Sequence, residues 1–217
     1  MPRDIPVGNG SLLVNFDRAY NLRDLYWPHV GQENHTAGHL CRFGVWVDDQ
    51  FSWVGDEGWS RTLTYEHDTL VAKATLYNPA LNLRLVCRDV VDFHEDLYLR
   101  QVSVYNFEED ARQVRLFFSH DFHISGHEVG DTAYYEPQRM AVFHYKGQRW
   151  FMTNVARPAE DGWQLGIDQW AVGKKESQGF EGTWRDAEDG RLSGNAVAQG
   201  SVDSTIALHL QVPGRAE

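Results

Sequence analysis

Residues 81–88 read Leu-Asn-Leu-Arg-Leu-Val-Cys-Arg, and this alternation decides the fold class. Successive side chains of an extended strand point to opposite sides, so residues two apart share a face. The apolar face is Leu81, Leu83, Leu85 and Cys87, and the opposite face is Asn82, Arg84, Val86 and Arg88. The pattern therefore predicts a β-strand with one face against a core.

The same period of two recurs along the chain, whereas helical periodicity is almost absent. The recurring apolar faces are Leu12, Val14 and Phe16; Phe43, Val45 and Val47; Leu70, Ala72, Ala74 and Leu76; Val114, Leu116 and Phe118; and Ile206, Leu208, Leu210 and Val212. Turn-forming clusters, such as residues 55–58 and 78–79, separate these runs. We therefore predict an all-β fold, a large antiparallel two-sheet supersandwich with at most one or two short helices.

One segment departs from this pattern. Residues 163–200 are rich in glycine and loosely patterned, and residues 181–190 predict a short helix with Thr183 as N-cap and Gly190 as its stop. After the last predicted strand, residues 213–217 are typical of the start of a linker. The sequence thus predicts a single domain over residues 1–212.

Composition limits the partners and the compartment. Lys and Arg number 20 against 31 for Asp and Glu, a net charge of −11 that disfavours nucleic acid and anionic membranes. The apolar runs are too short for a transmembrane helix, and the first residues carry no apolar secretory segment. We expect Cys41 and Cys87 to be free buried thiols, which favours a cytoplasmic location. No phosphate loop or nucleophile elbow is present, so we expect no cofactor.

Residues 23–35 form the candidate site and read Arg-Asp-Leu-Tyr-Trp-Pro-His-Val-Gly-Gln-Glu-Asn-His. Pro28 and Gly31 enforce an irregular path, and loops held by a rigid sheet often carry binding groups. A purely structural turn, with Arg23 paired to Asp24, explains the same residues equally well. The candidate residues are Arg23, Asp24, Tyr26, Trp27, His29, Gln32, Glu33, Asn34 and His35.

Histidines and carboxylates raise the question of a metal or catalytic site. The histidine groups are His29, His35 and His39, and His120, His123 and His127; the acidic candidates are Asp24, Glu33, Asp121 and Glu128. Zinc needs three or four converging ligands. Residues 120 and 123 of an extended strand point apart, so the second group converges only if the strand ends between them. We therefore expect no metal. Nothing in the sequence indicates that two carboxylates converge as glycoside hydrolysis requires.

Two segments resemble a known family. Residues 7–17, Val-Gly-Asn-Gly-Ser-Leu-Leu-Val-Asn-Phe-Asp, followed by residues 23–35, resemble the opening of prokaryotic glucoamylase-like proteins of glycoside hydrolase family 15. Residues 182–190, Gly-Thr-Trp-Arg-Asp-Ala-Glu-Asp-Gly, and residues 198–204, Ala-Gln-Gly-Ser-Val-Asp-Ser, resemble the end of the same N-terminal domain. The resemblance implies a β-supersandwich similar to galactose mutarotase, followed by an (α/α)6 barrel that carries both catalytic glutamates.

The resemblance also implies a function. The parent enzyme hydrolyses terminal α-glucosidic bonds with inversion, and its catalytic residues lie in the barrel, so none is expected in this chain. The expected partners are the C-terminal (α/α)6 domain and an α-glucan or oligosaccharide substrate, with the Tyr26–His35 loop at the pocket rim. A stand-alone carbohydrate-binding module, a purely structural domain and a sugar mutarotase remain open. A mutarotase would use His120, His123 or His127 as acids with Glu128 as base.

Overall fold

The computed structural model describes residues 5–127, 129–176 and 180–215. In this part the chain forms eighteen β-strands, one short α-helix and two 3-10 helices, and every strand pairing is antiparallel. The predicted all-β class is confirmed. The strands are β1 (Ile5–Gly8), β2 (Leu13–Phe16), β3 (Leu22–Tyr26), β4 (Phe43–Val47), β5 (Gln50–Trp53), β6 (Ser60–Tyr65), β7 (Ala72–Asn78), β8 (Leu83–Val91), β9 (Tyr98–Asn106), β10 (Arg112–His120), β11 (Asp131–Glu136), β12 (Ala141–Lys146), β13 (Arg149–Thr153), β14 (Ala156–Ala159), β15 (Gly162–Leu165), β16 (Gln169–Lys174), β17 (Val197–Gly200) and β18 (Val202–Val212).

Hydrogen bonding divides the described strands among five sheets. The central sheet has the order β16-β18-β10-β4-β5, and β10 pairs with β18 from Arg112 opposite Val212 to His120 opposite Ser204. The other sheets are β1-β2-β3, β6-β7-β8-β9, β13-β12-β11-β17 and the hairpin β14-β15. The central sheet shares one core with the β1-β2-β3 and β6-β7-β8-β9 sheets and another with the β13-β12-β11-β17 sheet.

Strand β10 is buried on one face and, from Phe117 onward, on the other face as well, which one-sided alternation does not predict. Val114 and Leu116 lie in the main core, as expected. Phe117 lies on the opposite face and is fully buried with Trp53 and Ala187 in a second cluster. Because β10 is a central strand with packed layers on both sides, both of its faces become apolar where a layer covers them.

The main core joins the β1–β3 and β6–β9 sheets to the central sheet. Leu76, Leu83 and Leu85 are fully buried in it, as the alternation predicts. Leu70 is different: it is 74% exposed, because the turn closed by the Glu66 N–H···O=C Val71 hydrogen bond precedes β7. The predicted strand therefore begins two residues too early, because β7 starts at Ala72.

A charged network lies inside this core. The Asp89 carboxylate is fully buried and accepts hydrogen bonds from the hydroxyls of Tyr20 and Tyr98 and, at 2.7 Å, from Nε of Arg100. The Arg100 guanidinium also lies 4.7 Å from the ring centroid of Tyr20. Buried charges need such partners, so the network joins β8 and β9 to the turn after β2.

The predicted helix forms, but with a different cap. The α-helix α1 (Thr183–Asp186) continues into a 3-10 helix (Ala187–Asp189), and Gly190 ends it with a φ of 81°. The position before the helix is Gly182, so Thr183 is its first residue rather than its N-cap. The cap is supplied from β18: both oxygens of Asp203 accept from the Thr183 N–H, at 3.2 and 3.0 Å.

The described part of the glycine-rich segment contains more strand than its pattern predicts. It contains β15, β16 and β17, and β16 pairs with β18 from Gln169 opposite Ala207 to Lys174 opposite Val202. Pairing with a strongly patterned neighbour overrides weak local preference for a strand. The second 3-10 helix, Ile124–Gly126, follows β10.

The cysteines and the chain end complete the description. Cys41 and Cys87 are buried free thiols, and burial raises the pKa of each to about 12. Strand β18 ends at Val212, while the division between a domain and a linker at this residue stays a prediction. Within the described ranges, the helices are too short and too polar to cross a membrane.

Candidate functional site

The candidate loop leaves β3 and is closed by its own backbone hydrogen bonds. Tyr26 and Asn34 form an isolated antiparallel bridge at its base, and the Trp27 N–H donates to the Glu33 carbonyl at 3.2 Å. At the tip the His29 carbonyl accepts from two N–H groups, those of Gln32 and Glu33, each at 3.1 Å. The loop therefore has one defined backbone conformation.

Two of the predicted polar residues hold the loop from inside. Asp24 is buried and accepts from the Nδ2 groups of Asn34 at 2.8 Å and Asn15 at 3.3 Å. The Oδ1 atom of Asn34 accepts from the backbone N–H groups of Leu25 and Thr36. Asn34 satisfies backbone donors in the turn, and Asp24 holds the Asn34 side chain, so the two residues position the loop.

His35 fastens the loop to the segment that follows β10. Its side chain is fully buried, its Nδ1 accepts from the Ser125 N–H at 3.1 Å, and its Nε2 lies 2.5 Å from the Trp27 carbonyl. Nε2 must therefore carry the proton and donate it to that carbonyl. Burial lowers the pKa of His35, which keeps the imidazole neutral.

Glu33 and Arg149 tie the loop to β13. The Nε and Nη2 atoms of Arg149 donate to the two carboxylate oxygens of Glu33, each at 3.0 Å. These hydrogen bonds lower the pKa of Glu33, so the pair is ionised. The same guanidinium lies 5.3 Å from the ring centroid of Trp27, whose ring meets Phe151 edge-on at 6.0 Å.

The loop exposes its tip. Residues 29–32 are exposed, and Val30 retains 38% of its accessible surface. Of the nine predicted site residues, His29 and Gln32 project into solvent, Asp24 and His35 are buried, and Arg23, Tyr26, Trp27, Glu33 and Asn34 are half-buried. The structure thus brings the predicted residues together in one loop but directs several of their polar groups inward.

A histidine–aspartate cluster, defined as His39, Asp121 and His123, combines one residue from each histidine group with a candidate carboxylate. Nδ1 of His39 lies 3.4 Å from Oδ2 of Asp121, and Nε2 of His123 lies 3.7 Å from Oδ1. Nζ of Lys175, which is buried, lies 2.6 Å from Oδ1 and donates to the Phe122 carbonyl at 2.5 Å. Among the described residues, these three potential metal ligands converge. Neither histidine group named from the sequence converges as a set of three.

Long-range pairing explains why this cluster was missed. The backbones of Arg42 and Ser119 exchange two hydrogen bonds, which continue the β4–β10 ladder beyond its named ends. The register places the residues before Arg42 beside those after Ser119, so His39 meets His123. Local spacing in the sequence carries no signal of this register; only knowledge of the β4–β10 pairing would have provided it.

The remaining mutarotase candidates have different surroundings. Burial lowers the pKa of His120 to about 4, which keeps this imidazole neutral. His127 is exposed, and its Nδ1 lies 2.9 Å from Nζ of Lys146, whose ammonium also pairs with Asp131 at 3.1 Å. Glu128, the predicted base, lies outside the described residues.

The sheet β13-β12-β11-β17 presents an outward aromatic face. Its members occupy facing positions of neighbouring strands: Tyr134, Phe143, Tyr145, Trp150, Met152 and Val197. Tyr145 and Trp150 stack with ring centroids 4.2 Å apart. Trp150 is 50% and Met152 60% exposed, so this face offers apolar surface to a partner.

The fold defines the chain as a large antiparallel β-sandwich-like domain. It is similar to part of a bacterial glucoamylase solved in complex with acarbose, with a TM-score of 0.72 and 10% sequence identity. The match covers 100% of this chain and 34% of the glucoamylase, so the chain spans about a third of that protein's length. No family model matches the sequence, and no curated protein matches it. At this identity the similarity concerns the fold.

Proposed function

We propose that this chain is the non-catalytic N-terminal domain of a glucoamylase-like enzyme of glycoside hydrolase family 15. The observation that carries the proposal is the match of the whole chain to one third of a bacterial glucoamylase. In this proposal residues 1–212 form a packing platform, residues 213–217 begin a linker, and an (α/α)6 catalytic domain follows in the same cytoplasmic polypeptide. The parent hydrolyses terminal α-glucosidic bonds with inversion, and its acid and base belong to the barrel.

The loop tip has a specific role in this proposal. Residues 29–32 are exposed, while the flanking residues are fixed by backbone bonds and by the Glu33–Arg149 pair. A preformed loop loses little conformational freedom on binding. We place the imidazole of His29 and the amide of Gln32 at the rim of the barrel's pocket, where they donate to hydroxyls of the glucan or oligosaccharide. Trp27 supports the tip through its contacts with Arg149 and Phe151.

Steady-state kinetics of the polypeptide that carries both this domain and the catalytic barrel test this role. Gln32→Ala and His29→Ala should raise KM for maltotetraose, because each removes a hydrogen-bonding group from the rim and leaves the barrel's catalytic groups untouched. Gln101→Ala, which removes an exposed amide from β9, is the matched control and should leave KM unchanged. If both loop variants behave like the control, the tip does not contact substrate.

A second candidate function, a stand-alone carbohydrate-binding module, is favoured by the aromatic face. Calorimetric titration of the 217-residue chain with maltoheptaose separates the two functions. A binding module predicts saturable binding that Trp150→Ala abolishes. Phe93→Ala is the control and should preserve binding, since Phe93 is 81% exposed but is not part of the aromatic face. The platform role predicts no saturable binding by the isolated chain.

A further inference from the structure

We propose that the histidine–aspartate cluster binds a divalent transition-metal ion of the class of Zn²⁺. Two imidazoles and a carboxylate form a donor set that suits zinc and its neighbours in the first transition row. The three side chains come from two segments that long-range strand pairing brings together. The site uses none of the residues of the exposed loop tip and is independent of the proposed platform role.

The distances fit a small tetrahedral ion. With Zn–N and Zn–O bonds of about 2.0–2.1 Å, the ligand atoms of a tetrahedral site lie about 3.4 Å apart. His39 Nδ1 and Asp121 Oδ2 are separated by 3.4 Å. His123 Nε2 lies 3.7 Å from Oδ1, the other oxygen of the same carboxylate. All the ligand atoms lie within 4.8 Å of one another, so a rotation of one imidazole ring is enough to bring them to coordination distance.

The surrounding hydrogen bonds hold the ligands in place. The backbone N–H of His123 donates to the His35 carbonyl at 2.7 Å, and the backbone N–H of His39 donates to the Thr36 carbonyl at 2.8 Å, which fixes the main chain that carries both imidazoles. Lys175 pairs with Oδ1 of Asp121, so the carboxylate offers Oδ2 to an ion as a single ligand. Outer partners of this kind orient metal ligands, although the ammonium charge also weakens attraction for a cation.

Access and ring geometry define how the ion enters. The side chain of His39 is 49% exposed, so solvent reaches the cluster and water fills a fourth position. The rings of His39 and His123 stack with centroids 3.8 Å apart. Because the lone pairs of parallel imidazoles cannot both point at one ion, the more exposed His39 ring must rotate on binding.

Titration of the 217-residue chain with Zn²⁺ tests the site. Wild-type protein should bind one equivalent, and His39→Ala should weaken that binding about tenfold or more, since an inner ligand matters at least as much as an outer partner. His67→Ala is the matched control: His67 is an exposed histidine beside Asp68, at 2.9 Å, which forms a pair rather than a converging group of three. It should leave binding unchanged.

Two further measurements keep the test decisive. Asp121→Asn should also weaken Zn²⁺ binding, and Co²⁺ should give the intense visible absorption of a four-coordinate site in wild type but not in His39→Ala. Circular dichroism verifies that each variant is folded. The proposal is overturned if wild type shows no saturable Zn²⁺ binding, or if His39→Ala and His67→Ala alter the affinity equally.

Discussion

Asp203 should make the stability of this protein fall as the pH rises toward neutrality. Its side chain is 1% exposed, and burial, reinforced by the charge of Asp121, raises its pKa to about 7. The hydrogen bond from Thr183 and the charge of Lys175 act in the opposite direction but are outweighed. In the unfolded chain, an aspartate has a pKa of about 3.9.

The difference in pKa sets the size of the effect. Between about pH 4 and pH 7, the folded state keeps a proton at Asp203 that the unfolded state has released. The free energy of unfolding therefore falls with rising pH, by at most about 1.4 kcal/mol per pH unit. Across roughly three units the loss is on the order of 4 kcal/mol.

Urea unfolding followed by tryptophan fluorescence, at several pH values in buffer with a chelator, measures this loss. Asp203→Asn keeps an oxygen acceptor for the Thr183 N–H but does not titrate, so its advantage over wild type should grow from about pH 4.5 to about pH 7.5. Asp56→Asn, at an exposed aspartate, should track wild type at every pH. A constant difference between the Asp203→Asn variant and wild type across this range would refute the assignment.

Two further pairs of substitutions probe the buried Arg100–Asp89 ion pair and the close approach at Gly190. Arg100→Met leaves the Asp89 carboxylate buried without its cation and should lower the free energy of unfolding in urea by about 3–5 kcal/mol. Adding Asp89→Leu should recover part of this loss. Strictly additive losses would contradict a direct pair. Gly190→Ala should destabilise more than Gly194→Ala, by about 1–3 kcal/mol. Both glycines have positive φ, 81° and 73°, but only at Gly190 would a described atom, Trp46 Nε1, lie 2.5 Å from the new Cβ. Equal thermal shifts would mean that the backbone conformation alone matters.

The sequence predicted the strands best where one face is buried and the other is not. Leu83 and Leu85 follow the alternation because β8 has one face on the main core. Phe117 does not follow it, because a period of two identifies residues on the same face but not how many layers cover the sheet. Leu70 fails for a related reason: alternation does not mark where a turn interrupts pairing.

The candidate loop was recognisable because polar and aromatic residues are concentrated in a short segment. The direction of its side chains was not, since the partners of His35 and Glu33 are Ser125 and Arg149, far away in the sequence. The approach of His39 to His123 depends on the same kind of information. Local patterns therefore predicted where the candidate loop lies, and long-range register decided which groups meet.

The rate of maltotetraose hydrolysis by the purified 217-residue chain distinguishes a scaffold from an enzyme. Because the two catalytic carboxyl groups are assigned to a separate barrel, we expect no turnover above the uncatalysed background, with activity appearing in the polypeptide that carries the barrel. Sustained hydrolysis by the chain alone at an enzymatic rate would contradict the claim that it is a scaffold.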